Sequence, residues 1–266
     1  MEYVGDMAAV QRDLARSHDM DRRRSRVLSA LAPAPGEEIL EVGCGGGLLL
    51  RELGRAVAPV GSVFGVDVSD DQVAAATEAC VDVPNVRIEV GTATALDAED
   101  GRFDASVSTQ VLEYVDAVET ALAELARVTR AGGRFLNVAT NWATLFVNGG
   151  DAALTKRIVG VWDRHAPHPN LPVDLPNMLR RAGFTSVLQT PLPLANRTFN
   201  RSTWGFGIAH LMAAFASSAG HIDDETSARW LKDLEDAATR DELFMSVMPM
   251  MTTATRTTPH PRRPAP

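Results

Sequence analysis

Glu38-Ile39-Leu40-Glu41-Val42-Gly43-Cys44-Gly45-Gly46-Gly47 is the stretch that decides how this chain is read. Ile39, Leu40 and Val42 form an apolar run of β type, and four glycines follow at 43, 45, 46 and 47. Leu48 to Leu50, with Arg51, Glu52 and Leu53, then continue at helical spacing. The pattern is strand, tight turn, helix. Glycines let the turn take positive φ and let backbone N–H groups come close to a ligand. The helix N-terminus behind them supplies the positive end of a dipole. Counted from Gly43, the dinucleotide fingerprint G-x-G-x-x-G would place its last glycine on Leu48, so that match fails. What stands instead is Glu41-x-Gly43-x-Gly45-x-Gly47, with an acid two residues before the first glycine.

Working outward, Pro59 and Gly61 mark a turn and residues 62–67 (SVFGVD) read as a second strand. Asp67 ends it, about twenty residues beyond the last glycine, where a carboxylate can accept ribose hydroxyls. Its alternative role is to cap a helix starting near Asp70, but Ser69 and Asp70 already supply that cap. Residues 70–81 read as a helix and 85–90 as a third strand, followed by Gly91-Thr92-Ala93. Residues 105–108 are a fourth strand ending at Thr109-Gln110, and polar residues at the carboxyl ends of parallel strands face the ligand crevice. A patterned helix at 116–129 stops at Ala131-Gly132-Gly133, and 134–139 form a fifth strand.

From about Gly36 to Asn141 these residues resemble the class I S-adenosylmethionine (SAM) dependent methyltransferases. The carriers are the Glu41–Gly47 motif, Asp67, Arg102-Phe103-Asp104, and the layout of Arg130, Gly132, Gly133 and Arg134 to Leu136. The resemblance implies an α/β, Rossmann-like seven-stranded sheet, mostly parallel with an antiparallel last strand, and helical lid insertions. It implies SAM as cofactor and S-adenosylhomocysteine (SAH) as product. Cofactor contacts then fall on Glu41, Gly43, Cys44, Gly45, Gly47, Asp67, Val68, Thr92, Ala93, Thr109 and Gln110. Glu41 would help hold the α-amino group by charge. Thr92 stands where the family commonly has an acid for the adenine amino group, so a hydroxyl or the backbone of Thr92 and Ala93 takes over that contact.

The totals narrow the class. A chain of 266 residues, 45% of them apolar, suits one large α/β domain with insertions. Lys plus Arg number 26 against 34 Asp plus Glu, a net charge of −8, which argues against nucleic acid as partner. The two cysteines, Cys44 and Cys80, form no C-x-x-C pair and read as reduced thiols of a cytoplasmic protein. The first twenty residues do not read as a signal peptide, and no apolar run reaches the length of a membrane span.

The expected organisation is an N-terminal helical segment at 1–35, a methyltransferase domain at 36–256 and a disordered proline-rich tail at 257–266. The N-terminal helices either pack on the sheet or close over the cofactor, bringing Tyr3 and Gln11 to the site. Lid insertions are expected at about 141–172 and 196–240, with a helix at 151–161, a rigid loop at 162–172, a helix at 175–182, strand six at 184–192 and a last strand at 243–253. Tyr114 and Trp142 are candidate acceptor contacts, Tyr114 being alternatively a half-buried aromatic. Trp204 and His210 belong to a crowd with Phe206, Met212 and Phe215 that is either ordinary core or a lid with an apolar pocket.

Methyl transfer from a sulfonium chiefly requires alignment. A base is needed only when the acceptor arrives protonated, and His165 and His168 are the candidates, or else loop histidines bonded to backbone carbonyls. With Asp163 they offer metal-type atoms but no recognised ligand spacing, so no metal site is assigned. The expectation is therefore a methyltransferase acting on a small, partly apolar acceptor, quinone-like or a specialised metabolite, with O- or C-methylation. The alternatives are a SAM-binding enzyme of the same fold with a non-methylating reaction such as cyclisation, and a non-enzymatic SAM-binding module.

Overall fold

The computed structural model describes residues 6–257. Its first half alternates α1 (Asp6–Ala15), α2 (His18–Leu31), β1 (Glu38–Val42), α3 (Leu48–Val57), β2 (Ser62–Asp67), α4 (Asp70–Ala79), β3 (Val86–Val90) and β4 (Phe103–Thr109). A 3-10 turn (Leu112–Tyr114), α5 (Val118–Val128) and β5 (Thr129–Asn148) follow. The second half holds α6 (Ala152–Trp162), α7 (Leu171–Arg181), β6 (Phe184–Pro191), β7 (Leu194–Asn196), α8 (Trp204–Ser218), α9 (Asp224–Thr239) and β8 (Phe244–Arg256).

The sheet runs β3-β2-β1-β4-β5-β8-β6, with β7 paired to β8. The five strands from β3 to β5 are parallel, and β8 is antiparallel to β5, β6 and β7. The chain leaves β1 toward β2 and β3, then returns to build β4 and β5 on the other side. That reversal makes the gap between β1 and β4 a topological switch point, where crossovers diverge and a crevice opens. Register places the site: Val42 lies beside both Val66 and Ser108, so Gly43, Asp67 and Thr109 emerge at one level.

One apolar core joins α3 and the end of α2 to one face of the sheet, through Val27, Leu31, Ile39, Leu50 and Leu53. A second joins α5 and α7 to the other face, through Leu40, Phe103, Leu122 and Leu175. A third core lies beyond the sheet and joins α6, α8 and α9 to the far ends of β5 and β8. Trp162, Trp204, Met212 and Trp230 fill it, with Met20 reaching in from α2.

Three features differ from the sequence reading. The sheet has eight strands rather than seven, because β8 is thirteen residues long and its first half takes Leu194–Asn196 as an extra partner. β5 continues to Asn148 instead of ending at Ala139: pairing with β8 resumes at Phe146 after a register shift, so residues expected in a lid loop are strand. α7 starts at Leu171, inside the expected rigid loop. Pro172 fits its first turn, where an N–H has no helical partner. Pro176 lies within the helix and frees the Pro172 carbonyl four residues back, which accepts instead from Gln189 Nε2 at 2.8 Å. Tyr3, the Gln11 side chain and the tail from residue 258 lie outside the described residues.

Candidate active site

The glycine turn is built by close approach. Gly43 N and Cys44 N both donate to Val66 O, at 2.7 and 3.1 Å, binding the turn to β2. Gly43 has φ +70, and a Cβ there would lie 2.1 Å from Val111 Cγ2. Gly47 caps α3 at φ +75, and a Cβ there would lie 2.9 Å from Ala76 Cα of α4. Gly45 differs: at φ +51 a Cβ would meet nothing within 4 Å. Two of the glycines therefore close the turn and the third faces open space.

Two carboxylates frame that space. Asp67 Oδ2 accepts from Gly45 N at 2.8 Å and Oδ1 from Ser69 N at 3.1 Å. Ionised carboxylates have further lone pairs, so Asp67 can still take hydroxyl donors. α4 is capped separately by Ser69 Oγ, which accepts from Gln72 N. Glu41 is 2% exposed, and its Oε2 is buried with no hydrogen-bond partner. Burial, then the charges of Asp67 and Glu52, holds its carboxyl well above the usual range. Cys44 is buried in the same turn, its thiol pushed up by burial. Val68 is 73% exposed beside Asp67. Thr92 is exposed and its hydroxyl meets that of Thr94 at 3.0 Å, whereas Ala93 is buried.

At the end of β4, Thr109 is half-buried and Gln110 turns the chain with φ +58. Gln110 Nε2 donates to Glu113 Oε1 at 2.7 Å, and Gln110 Oε1 accepts from Thr140 Oγ1 at 2.8 Å. The Gln110 side chain thus ties β4 to β5 and to the 3-10 turn.

The candidate acceptor residues separate into two groups. Tyr114, Trp142 and His165 come together. His165 stacks on Trp162 at a centroid distance of 3.9 Å and meets the edge of Trp142 at 4.8 Å. Its Nδ1 is 2.5 Å from Trp162 O, which can only accept, so Nδ1 carries the proton and Nε2 accepts from Tyr114 OH at 3.3 Å. His165 is 3% exposed, and burial pushes it down to about 4. A neutral, enclosed imidazole that reaches the crevice through Tyr114 does not match the expected loop base. His168 is a tether: its N donates to Glu113 O at 3.1 Å and its Nε2 sits 3.2 Å from Asp116 O. Trp204 and His210 belong elsewhere. Trp204 is core at the start of α8, its N donating to Asp19 Oδ2 at 2.8 Å. His210 Nδ1 bonds Phe206 O and its ring packs on Phe206 and Phe199.

Sequence reasoning missed two residues. Glu113 is fully buried; its Oε1 accepts from Gln110 Nε2 and, at 3.2 Å, from Thr140 N. Its Oε2 has no partner, and burial, opposed by bonds to the backbone of Glu113, Thr140 and Val111 and by the charge of Arg23, pushes it up to about 7. Arg23 of α2 is half-buried, its charge facing Glu113 and Tyr114, and burial pushes it down to about 10. The signals were an acid inside the apolar run Val111–Tyr114 and an arginine spaced three and four residues from Met20 and Val27.

Residues 40–137 match a family described as a methyltransferase domain. An uncharacterised 37.1 kDa protein in transposon TN4556 of Streptomyces fradiae is 31% identical over 235 residues, 88% of this chain and 66% of that protein. The demethylmenaquinone methyltransferase of Staphylococcus aureus is 33% identical over 122 residues, 46% of this chain and 51% of that enzyme. The matched part thus spans about two thirds of the first relative and half of the second. Phosphoethanolamine N-methyltransferase 2 of Haemonchus contortus, solved with SAM, superposes with a TM-score of 0.61 at 15% identity. It covers 96% of this chain and 58% of that one, a likeness of fold.

Proposed function

Its methyltransferase domain and its fold place this chain in the class I SAM-dependent methyltransferase family, and from that premise we propose that it transfers a methyl group from SAM to a small, partly apolar acceptor. The observation that carries the reading is the switch-point crevice, where register brings the glycine turn, Asp67 and Thr109 to one level. The residues fit the cofactor. The open space before Gly45 can take it, the unpartnered Glu41 Oε2 suits an ammonium group, and Asp67 suits ribose hydroxyls. Cys44, Gly43 and Gly47 shape the turn, and Val68, Thr92 and Ala93 line its adenine end. Thr109 and Gln110 close it on the β4 side. When bound, SAM supplies an activated methyl group.

The protein's own residues then have to place an acceptor and exclude water. Tyr114, Trp142, Trp162 and His165 form an aromatic wall next to Gln110 and Glu113, which suits a flat, partly apolar molecule such as a quinol. Calorimetric titration with SAM and SAH tests the cofactor half: saturable binding is expected in wild type, with loss of at least tenfold in Asp67→Ala. Folded wild type that binds neither molecule would overturn the reading. Incubation with SAM and a panel of quinols and phenols, followed by mass analysis, tests the transfer. A product heavier by one CH₂ supports methylation, and an isomer of unchanged mass points to the cyclising alternative.

A further inference from the structure

Two polar groups beside the site, Arg23 and Glu113, are not themselves assigned to SAM, although Glu113 holds the Gln110 side chain. α2 crosses from the cap formed by α6, α8 and α9 to the sheet: Met20 lies in the cap's core, Val27 and Leu31 in the sheet's. Arg23 stands between them at helical spacing, on the helix face that would otherwise be apolar. Among the described residues it makes no hydrogen bond and no ion pair, and its charge faces Glu113 and Tyr114. Glu113 is fully buried with one oxygen engaged and Oε2 unpartnered. A half-buried cation and a buried carboxyl that stop short of pairing are each costly, unless a third group comes between them.

The chemistry of that third group follows by elimination. An amine has a single lone pair, which cannot both accept from Arg23 and attack the methyl carbon. A ketone brings no proton for Glu113. A carboxylate would satisfy Arg23 but repel an ionised Glu113. A hydroxyl satisfies both, donating to the carboxylate and accepting from the guanidinium. Building on the methyltransferase reading, we propose that Arg23 and Glu113 select an acceptor with an acidic hydroxyl, a phenol or enol. In this step the acceptor O–H bond breaks, its proton goes to Glu113 Oε2, and the electron pair stays on the oxygen, where Arg23 holds the resulting anion. That pair then bonds the methyl carbon as the carbon–sulfur bond breaks toward sulfur, and Glu113 later returns its proton to water. The groups facing Glu113 are Arg23 from α2, Tyr114 on its own turn, Gln110 from the end of β4 and Thr140 from β5. From the loop at 163–170 come His168, through its backbone, and His165, whose Nε2 is taken by Tyr114.

The test uses the full chain loaded with SAH and 4-nitrophenolate as probe, at about pH 8, with Glu113 largely ionised beforehand. Calorimetry in buffers of different ionisation heat counts protons. The expected result is uptake of about one proton per bound probe, with the probe keeping its ionised absorption band. Arg23→Gln should weaken the probe about tenfold and Arg23→Lys should restore much of the loss. Glu113→Gln should bind the probe and take up no proton. SAH affinity, measured alongside, should be unchanged in Arg23→Gln and Arg23→Lys, and a circular dichroism spectrum like that of wild type reports the folding of all three. Wild type that fails to bind SAH overturns the methyltransferase reading itself. Wild type that binds SAH but not the probe, Arg23→Gln with undiminished probe affinity, or proton uptake persisting in Glu113→Gln overturns this inference alone.

Discussion

Glu113 and His165 are one residue and one hydrogen bond away from Tyr114, and they respond to acid in opposite ways. Glu113 moves from its ordinary 4.5 up to about 7, so between those values the folded chain holds a proton that the unfolded chain has released. Stability therefore falls as pH rises through that window, by about 3 kcal/mol at most. His165 moves from 6.5 down to about 4, so there the unfolded chain holds the extra proton. Stability is present above pH 6.5 and is lost as pH drops toward 4, again by about 3 kcal/mol at most. Urea titrations across pH 4 to 8 should show that Glu113→Gln removes the fall and leaves a steeper rise, while His165→Gln does the reverse. Slopes that match wild type in both variants would refute these assignments. The glycines give a second prediction at this scale. Gly43→Ala meets Val111 at 2.1 Å and should cost about 2–3 kcal/mol in denaturant titration. Gly45→Ala meets nothing and should cost about 1 kcal/mol of backbone strain, while SAM affinity drops at least tenfold because the new methyl enters the ligand's space.

Helix α2 owes its place to Asp19. That buried carboxylate accepts from Trp204 N, Asn196 Nδ2 and Arg22, and so clips α2 to the start of α8 and to β7. Asp19→Ala leaves the Trp204 and Asn196 donors unmet and should cost about 2 kcal/mol, with faster amide exchange over residues 18–31. An unchanged exchange pattern would show that apolar contacts alone seat the helix. Elements of this kind differ in how well they can be read from sequence. β1 and β2 are legible because continuous apolar runs stop at glycine or aspartate, and α3 because its leucines repeat at helical spacing. β7 is only three residues and exists because β8 offers an unpaired edge. The extension of β5 is hidden because Asn141 to Leu145 alternate poorly and the strand shifts register there. The cofactor turn was visible because its residues adjoin in sequence. Arg23 and Glu113 were not, since their meaning comes from facing each other across the fold, and the short basic cluster Arg22 to Arg24 reads as a solvated helix face.

At the scale of the whole molecule, β5 and β8 pass through both the sheet and the cap, so neither half has a complete core without the other. The chain should unfold in one step. Trp230 is fully buried in the cap, with its Nε1 donating to Thr155 Oγ1 at 2.9 Å. Trp230→Ala should cost about 3–5 kcal/mol and shift circular dichroism and tryptophan fluorescence transitions together. Two separated transitions would mean the cap melts independently. The two cysteines are buried in one core against the glycine turn, Cys80 Sγ donating to Gly47 O. Burial raises both thiols, and only thiolates attack. Their reaction with a disulfide reagent is therefore a stopwatch built into the chain, running only while the nucleotide end stands open and slowed by whatever ligand keeps it shut.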